Sequence, residues 1–152
     1  MDATVHGLRV WEQALAATPA SVRLARHGVA EALQAWGWHP DRAADVVLIC
    51  SELVTNAIRH ACRIGESVPV RLEEADGGCR IEVRDGRSDV TPVLRPSGIR
   101  GDGQGLRLVA ELAVGWGVGT GRGTKTVWAR VAAGSSVSEA LSQDGSAVAW
   151  SR

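Results

Sequence analysis

Residues 40–61 show helical periodicity, and a polar stripe on this helix is the feature that most constrains the fold. Glu52, Asn56 and His60 lie four residues apart. At about 100° per residue, each step of four moves around the helix by only about 40°. The stripe therefore borders the apolar side centred on Leu53, where polar groups are partly desolvated and need partners. This pattern indicates a bound ligand, although a helix whose Glu52 and Asn56 face water also fits the stretch taken alone. The apolar side comprises Val46, Ile49, Cys50, Leu53 and Ala57.

Composition and charge limit the classes of protein to which the chain can belong. Its 152 residues suit one domain with a sizeable core. Hydrophobic residues make up 45%, which is typical of a globular chain rather than a disordered one. Basic and acidic residues both number 17, so the charge does not favour nucleic acid or a membrane surface as the main partner. Lys125 is the only lysine, and the arginines are spread along the chain.

The N-terminal sequence and the cysteines favour a cytoplasmic protein. The stretch MDATVHGLRVWEQAL carries charges throughout and has no continuous apolar core, so we expect no signal peptide. No segment reaches the roughly 20 apolar residues that a membrane span needs. Cys50, Cys62 and Cys79 are odd in number and show no CxxC spacing. We interpret them as reduced cysteines rather than as a disulfide framework or a metal site.

The remaining periodicity predicts helices and strands in alternating groups. Residues 5–15 are short and mixed, which indicates an edge strand. A first helix should follow, with Thr18 as its cap, Pro19 in its first turn and Gly37 at its end. Apolar residues alternate with polar ones on both sides of Asp76-Gly77-Gly78, and this pattern predicts a β-hairpin.

The second half of the chain predicts a long loop, a helix and two more strands. Periodicity is absent from residues 86–104, and loops of this length in a domain are usually functional or disordered. A helix should begin near Gly105, followed by strands around 114–118 and 125–131. We therefore predict an α+β fold, a two-layer sandwich with helices on one face of a mixed, mostly antiparallel sheet. The domain should span residues 1–132, with its core at about 18–130, and residues 133–152 should form a flexible tail.

Three further features accompany the polar stripe. Asp85 ends a strand and starts the long loop. The glycines of Gly103-Gln104-Gly105 precede a helix, where backbone N–H groups can approach a phosphate and the helix N-terminus favours its negative charge. Thr124 and Thr126 provide hydroxyls at the start of the last strand. Taken singly, the glycines fit a tight turn and the threonines fit plain strand residues. The polar stripe, Asp85, the glycines and the threonines in this order are a more specific signal than any one of these features.

In this order the sequence resembles the Bergerat-fold ATPases, the superfamily of gyrase, heat-shock chaperones, sensor histidine kinases and mismatch-repair ATPases. It is most similar to the small anti-sigma factor serine kinases and their actinobacterial relatives. The resemblance covers roughly residues 18–130 and is carried by PASVRLARH, SELVTNAIRHA, the strand ending in Asp85, GQGLRLV and GTKTVWA. One departure is the first glycine box, which usually reads DxGxG and here is Asp85-Gly86-Arg87-Ser88-Asp89.

The resemblance implies roles for the polar stripe. Asn56 matches the asparagine that coordinates Mg²⁺ bound to the ATP phosphates. Glu52 matches the glutamate proposed as general base, which in the kinase branch deprotonates a serine hydroxyl. These residue types suit the chemistry, because Mg²⁺ prefers oxygen ligands and phosphoryl transfer depends mainly on positioning and charge neutralisation.

The resemblance also implies contacts for the nucleotide. Asp85 matches the aspartate that accepts a hydrogen bond from the adenine amino group. Thr126, with Thr124 as the alternate, matches the threonine near the adenine. The second glycine box, at the end of the loop that covers the triphosphate, corresponds to Gly103, Gly105 and Leu106.

Three functions remain open on this basis. The first is an ATP-binding anti-sigma factor that is also a serine protein kinase and phosphorylates an anti-sigma factor antagonist, thereby regulating transcription. Such a protein is expected to be a homodimer, to act in the cytoplasm and to bind a sigma factor as well. The alternative is a nucleotide-binding interaction module without kinase activity. The catalytic domain of a histidine kinase fits poorly, because only about 17 residues precede the first predicted helix.

Overall fold

The computed structural model describes residues 3–5, 8–60, 65–86 and 103–134. Within these ranges the chain forms three helices and six strands. The helices are α1 (Ala20–Ala35), α2 (Pro40–His60) and α3 (Gly103–Leu112). The strands are β1 (Ala3–Val5), β2 (Leu8–Ala16), β3 (Ser67–Ala75), β4 (Gly78–Asp85), β5 (Gly115–Gly121) and β6 (Thr124–Ala132).

The strands form one sheet in the order β1-β2-β3-β4-β6-β5. Each of the five neighbouring pairs is antiparallel. The prediction of a mixed, mostly antiparallel sheet is confirmed in its antiparallel part, and the described strands include no parallel pair. The predicted edge strand is also divided, because β1 forms the edge and β2 lies between β1 and β3.

A two-residue turn fixes which side chains of β3 and β4 face the helices. Asp76 and Gly77 both have positive φ, 52° and 73°, which is the conformation of the turns that match the twist of a hairpin. This turn pairs Leu72 with Ile81 and Val70 with Val83. All four of these side chains are buried. The same alternation places Asp85, at the end of β4, on the buried face.

The core lies between this face of the sheet and the helical layer. Helix α2 packs against β3, β4 and β6 and also contacts α1 and α3, while α1 contacts β2. The predicted α+β two-layer sandwich is confirmed. Fully buried members of the core include Val29, Leu33, Val46, Ile49, Leu53, Leu72, Ile81 and Val109.

The start of α1 differs from the prediction, whereas its end agrees. Pro19 occupies the cap position with helical φ and ψ, and no side chain caps the helix. Thr18 contributes its carbonyl oxygen, which accepts a hydrogen bond from the Ser21 N–H at 3.0 Å. Its hydroxyl lies 3.2 Å from the Ser21 hydroxyl instead of a backbone N–H. Gly37 ends the helix with φ of 78°, which is readily accessible only to glycine.

Several predictions fall outside the described residues. These are residues 87–102, which make up most of the long loop, and the sequence after Gly134 that was predicted to be a tail. The described helices include none with both the length and the apolar character of a membrane span.

Candidate functional site

The polar stripe of α2 lies at the border of its buried side. Leu53 is 1% exposed and Ala57 3%, whereas Glu52 and Asn56 are half-buried. This confirms that the two polar side chains are partly desolvated. His60 is the last residue of α2, and its side chain lies outside the described part of the chain. A carboxylate and an amide four residues apart on one helix face place their oxygen atoms in a short row.

Asp85 ends β4 as a buried carboxylate. It follows Ile81 and Val83 on the side of the sheet that faces the helices. Its partner across the sheet is Lys125 of β6, with Nζ 3.4 Å from Oδ2. Both side chains are only 1% exposed. Burying a charge is costly unless it is paired, so the two groups depend on each other.

Lys125 is a buried neighbour of Asp85 that the sequence-based interpretation missed. The signal that identifies it is the alternation along β6, where Lys125, Val127 and Ala129 are all buried. A lysine in phase with apolar strand positions must point into the core side of the sheet. Extending this alternation backwards from Val127 would have placed the lysine on the buried face of its strand.

The same alternation bears on Thr124 and Thr126, whose contact with the nucleotide stays a prediction. They alternate with the buried positions of β6 and so project from the opposite face of the sheet. Thr126 pairs with Arg84, and it lines an open depression on that face together with Glu12 and Pro69. The side chain that lies beside Asp85 is Lys125, so the structure does not place either threonine next to this carboxylate.

The open face of the sheet carries charged side chains in pairs. The Arg71 guanidinium contacts Glu12 at 2.6 Å and Glu73 at 2.7 Å. Arg80 contacts Glu82 at 2.7 Å and lies 4.6 Å from the centre of the Trp128 ring. These partly exposed pairs contribute little to stability. The depression among them is on the other side of the sheet from Asp85 and does not belong to the candidate site.

The glycine-rich segment forms the first turn of α3. The helix begins at Gly103, and Gly105 and Leu106 complete this turn. The first four N–H groups of a helix have no partner within it, and together with the helix dipole they favour an anion. Leu106 is 2% exposed and belongs to the core, so its side chain contributes packing and only its backbone is suited to a phosphate.

The donor set fits Mg-ATP in its chemistry. A half-buried amide oxygen and carboxylate suit Mg²⁺, which takes oxygen ligands and keeps phosphate oxygens and water in its shell. A buried carboxylate suits the amino group of a base. The amino-terminal turn of α3 suits phosphate oxygens. The residues that would hold the nucleotide are Asn56, Asp85, Gly103, Gly105 and Leu106, with Glu52 beside Asn56.

The described cysteines take no part in this site. Cys50 and Cys79 are buried free thiols. Burial raises the pKa of each to about 12, although Arg26 opposes the effect at Cys50. Glu74 adds to the effect at Cys79 and Arg42 opposes it. Neutral buried thiols behave as small apolar side chains. Cys62 lies outside the described residues.

Sequence and structure comparisons identify the family. Residues 15–131 match the histidine kinase-like ATPase domain, and because this match covers most of the chain, the protein belongs to that family. The structure is similar to the crystal structure of the RsbU and RsbW domains of Rv1364c from Mycobacterium tuberculosis, with a TM-score of 0.64 and 25% identity. The similarity covers 81% of this chain and 32% of the other, so the chain spans about a third of that structure's length. No curated protein matches the sequence.

Proposed function

We propose that the protein binds Mg-ATP and transfers its γ-phosphate to a serine of an anti-sigma factor antagonist. The observation that carries the proposal is the half-buried Glu52–Asn56 row on α2 in a chain of the histidine kinase-like ATPase family. An ATPase domain implies an ATP site, and this row offers a base and a metal ligand within one helical turn. The structural similarity to a protein with an RsbW domain supports the kinase branch of the family.

Each site residue has one role in this proposal. Asn56 holds the Mg²⁺ that neutralises charge on the phosphates. Glu52 accepts the proton of the serine hydroxyl that attacks the γ-phosphate. Asp85 accepts a hydrogen bond from the base, and the first turn of α3 meets the phosphates with its backbone N–H groups. Phosphoryl transfer needs this positioning and electrostatic stabilisation more than it needs covalent help from the protein.

Helix α1 is the proposed partner surface. Arg23 and Arg26 lie three residues apart on one side of this helix and are exposed, and Leu24 is 55% exposed. Two neighbouring exposed guanidinium groups suit a protein partner that carries carboxylates or a phosphoserine. The proposal places the protein in the cytoplasm as a homodimer that also binds a sigma factor, so that phosphorylation of the antagonist regulates transcription.

A second candidate is a nucleotide-binding module that controls its partner by affinity alone. The observation that favours it is the first glycine box, where Asp85-Gly86 is followed by Arg87-Ser88-Asp89 instead of the usual DxGxG. In this candidate the protein binds ATP, and nucleotide binding shifts the population of the form that the partner recognises. The two candidates differ in whether phosphate reaches the partner.

Phosphotransfer with γ-labelled ATP distinguishes the two candidates. The protein is incubated with Mg²⁺, labelled ATP and a panel of purified anti-sigma factor antagonists, and the labelled residue is located by mass spectrometry. The kinase should label a serine, and Glu52→Ala should reduce the rate by about 10²-fold or more while ATP affinity is kept. Glu111→Ala is the matched control, since Glu111 is a carboxylate on α3 with a side chain 63% exposed. ATP binding by the wild-type protein without any labelled antagonist would contradict the kinase and favour the module.

A further inference from the structure

The edge strand β5 lacks the usual protection of a sheet edge. It is the last strand in the sheet order, so one of its two sides has no partner strand among the described residues. Its seven residues, GWGVGTG, include no charged residue and no proline. Charged side chains, prolines or a very short strand normally keep an edge from pairing with another chain. The opposite edge, β1, has only three residues. The outer side of β5 is therefore the edge of the sheet that is able to pair with a further strand.

One face of β5 is apolar at its centre. Trp116 and Val118 pack against the core on the helical side of the sheet, where Trp116 pairs with Ala129 and Val118 with Val127. Ala129 and Val127 are buried, whereas Trp116 and Val118 stay partly exposed at the edge. A strand added to this edge would extend the apolar contact, because cross-strand neighbours on one face touch each other.

The other face of β5 carries no side chain at all. Its residues on this face are Gly115, Gly117, Gly119 and Gly121. The indole ring of Trp128 on β6 lies against this face, since a Cβ at Gly117 would be 2.9 Å from the ring. Glycine in a strand weakens the strand and often marks a place where another backbone approaches closely. A strand that pairs with β5 would meet no side chain of β5 on this face.

The sequence of β5 is self-complementary about its central residue, Val118. An antiparallel pair of two copies centred on Val118 is the one register in which all seven residues are paired. Each glycine then lies opposite a glycine, Trp116 lies opposite Thr120 of the second copy, and Val118 lies opposite itself. Two identical strands paired in this way have the twofold symmetry of a closed dimer. No charged side chain is brought opposite a like charge.

We propose that two copies of this chain form a homodimer by pairing their β5 strands antiparallel about Val118. The inference rests on the homodimer of the proposed function and names its interface. The pairing joins the six-stranded sheet to that of the second copy. It adds about six to eight main-chain hydrogen bonds, because alternate residue pairs of an antiparallel ladder exchange two each. A partner of different sequence gains nothing from the symmetry of GWGVGTG, so the second copy is the occupant that this edge fits.

Cysteine cross-linking tests the interface and its register. Val118→Cys and Thr120→Cys are oxidised beside the wild-type protein, whose own cysteines give the background, and the disulfides are located by mass spectrometry. In the proposed register residue 118 lies about 4.5–5.5 Å from its own copy between Cα atoms, which is within the range of a disulfide. Thr120 is the matched control, since it lies on the same strand and the same face. Its copy is four residues further along the strand, about 14 Å away.

We expect the wild-type protein to sediment with twice the mass of one chain. Oxidation should link most of Val118→Cys as a dimer through residue 118, while Thr120→Cys should stay at the background. Cys50 and Cys79 should not compete, because burial raises the pKa of both thiols to about 12. Thermal unfolding of each variant shows whether it is folded.

Amide hydrogen exchange of the wild-type protein gives a test that needs no substitution. Alternate amides of an edge strand point away from the sheet and exchange freely, whereas both sets are hydrogen-bonded in the proposed dimer. All amides from Trp116 to Thr120 should therefore be protected. This measurement decides the matter even where Val118→Cys does not fold.

Three results would overturn the inference. One is a wild-type dimer in which alternate β5 amides exchange freely. Another is a folded Val118→Cys variant that links no more than the wild-type protein or no more than Thr120→Cys. The third is a wild-type protein that stays a monomer at its highest soluble concentration, which would also contradict the homodimer of the proposed function. Phosphotransfer is measured on the same sample, so the proposed kinase activity stands or falls separately.

Discussion

At the scale of single residues, the ion pair between Asp85 and Lys125 is the most informative contact in the molecule. Both side chains are 1% exposed, so neither charge is hydrated from outside. Removing one partner leaves the other charge buried without its counter-charge, which is the costly way to break such a pair. A loss of function in an Asp85 variant can therefore come from unfolding as well as from a lost contact with the base.

A double-mutant cycle on this pair separates the two effects. Asp85→Asn and Lys125→Met should each lower the free energy of unfolding by about 3–5 kcal/mol, measured by urea denaturation. The double variant should be destabilised by less than the sum of the two, because it leaves no unpaired charge in the core. Additive losses would contradict a mutually dependent pair.

At the scale of elements, the contact between α1 and β2 depends on a glycine. Gly28 lies on α1, and a Cβ placed there would overlap the indole ring of Trp11 on β2. The helix therefore approaches the sheet more closely than it could with any other residue at this position. This contact sets the position of α1, which carries the proposed partner surface.

Gly28→Ala should destabilise the protein although alanine is the better helix former. In an open helix the change would stabilise by about 1 kcal/mol, whereas here displacement of the ring should cost about 1–3 kcal/mol. Gly119→Ala on β5 is the matched control, since its Cβ would meet no described atom within 4 Å. Urea denaturation of both variants measures the effect, and a Gly28→Ala variant at least as stable as the wild-type protein would contradict the close packing.

Elements with strong periodicity could be predicted from the sequence. Which side chains of the short strand β6 face the core was not predicted. The α2 helix and the half-buried position of Glu52 and Asn56 follow from a long 3.6-residue pattern, which fixes both the helix and its buried side. On β6 the resemblance implied roles for the threonines and none for Lys125. Because successive side chains of a strand point to opposite faces, only one of Lys125 and Thr126 can face Asp85. The hairpin turn was evident because Asp-Gly favours positive φ at both positions.

Long-range pairing is the part of the site that local patterns do not contain. Asp85 and Lys125 are 40 residues apart in sequence, and β4 meets β6 rather than β5. A sequence pattern gives each strand its faces, but it does not say which strands are neighbours. The half-buried position of the candidate residues on α2 could therefore be predicted from the sequence, whereas the neighbour of Asp85 on β6 could not.

At the scale of the whole molecule, the two-layer sandwich brings together the elements that carry the candidate residues. Helix α2 presents Glu52 and Asn56 from the helical layer, and the sheet presents Asp85 on the face that α2 covers. Helix α3 packs against α2 and begins with the glycine-rich turn. All the proposed contacts to nucleotide, metal and phosphate thus arise from one interface between the helices and the sheet.

A calorimetric titration with ATP, with and without Mg²⁺, tests this account most directly. The wild-type protein should bind one ATP per chain and should bind it more weakly without Mg²⁺. Asn56→Ala should weaken ATP binding in the presence of Mg²⁺ by about tenfold or more, because it removes the proposed oxygen ligand. Gln34→Ala is the matched control, since it removes a carboxamide from an exposed position of α1 and should bind as the wild-type protein does. Absence of binding at millimolar ATP, or Mg²⁺-dependent binding that is unchanged in Asn56→Ala, would contradict the proposed site.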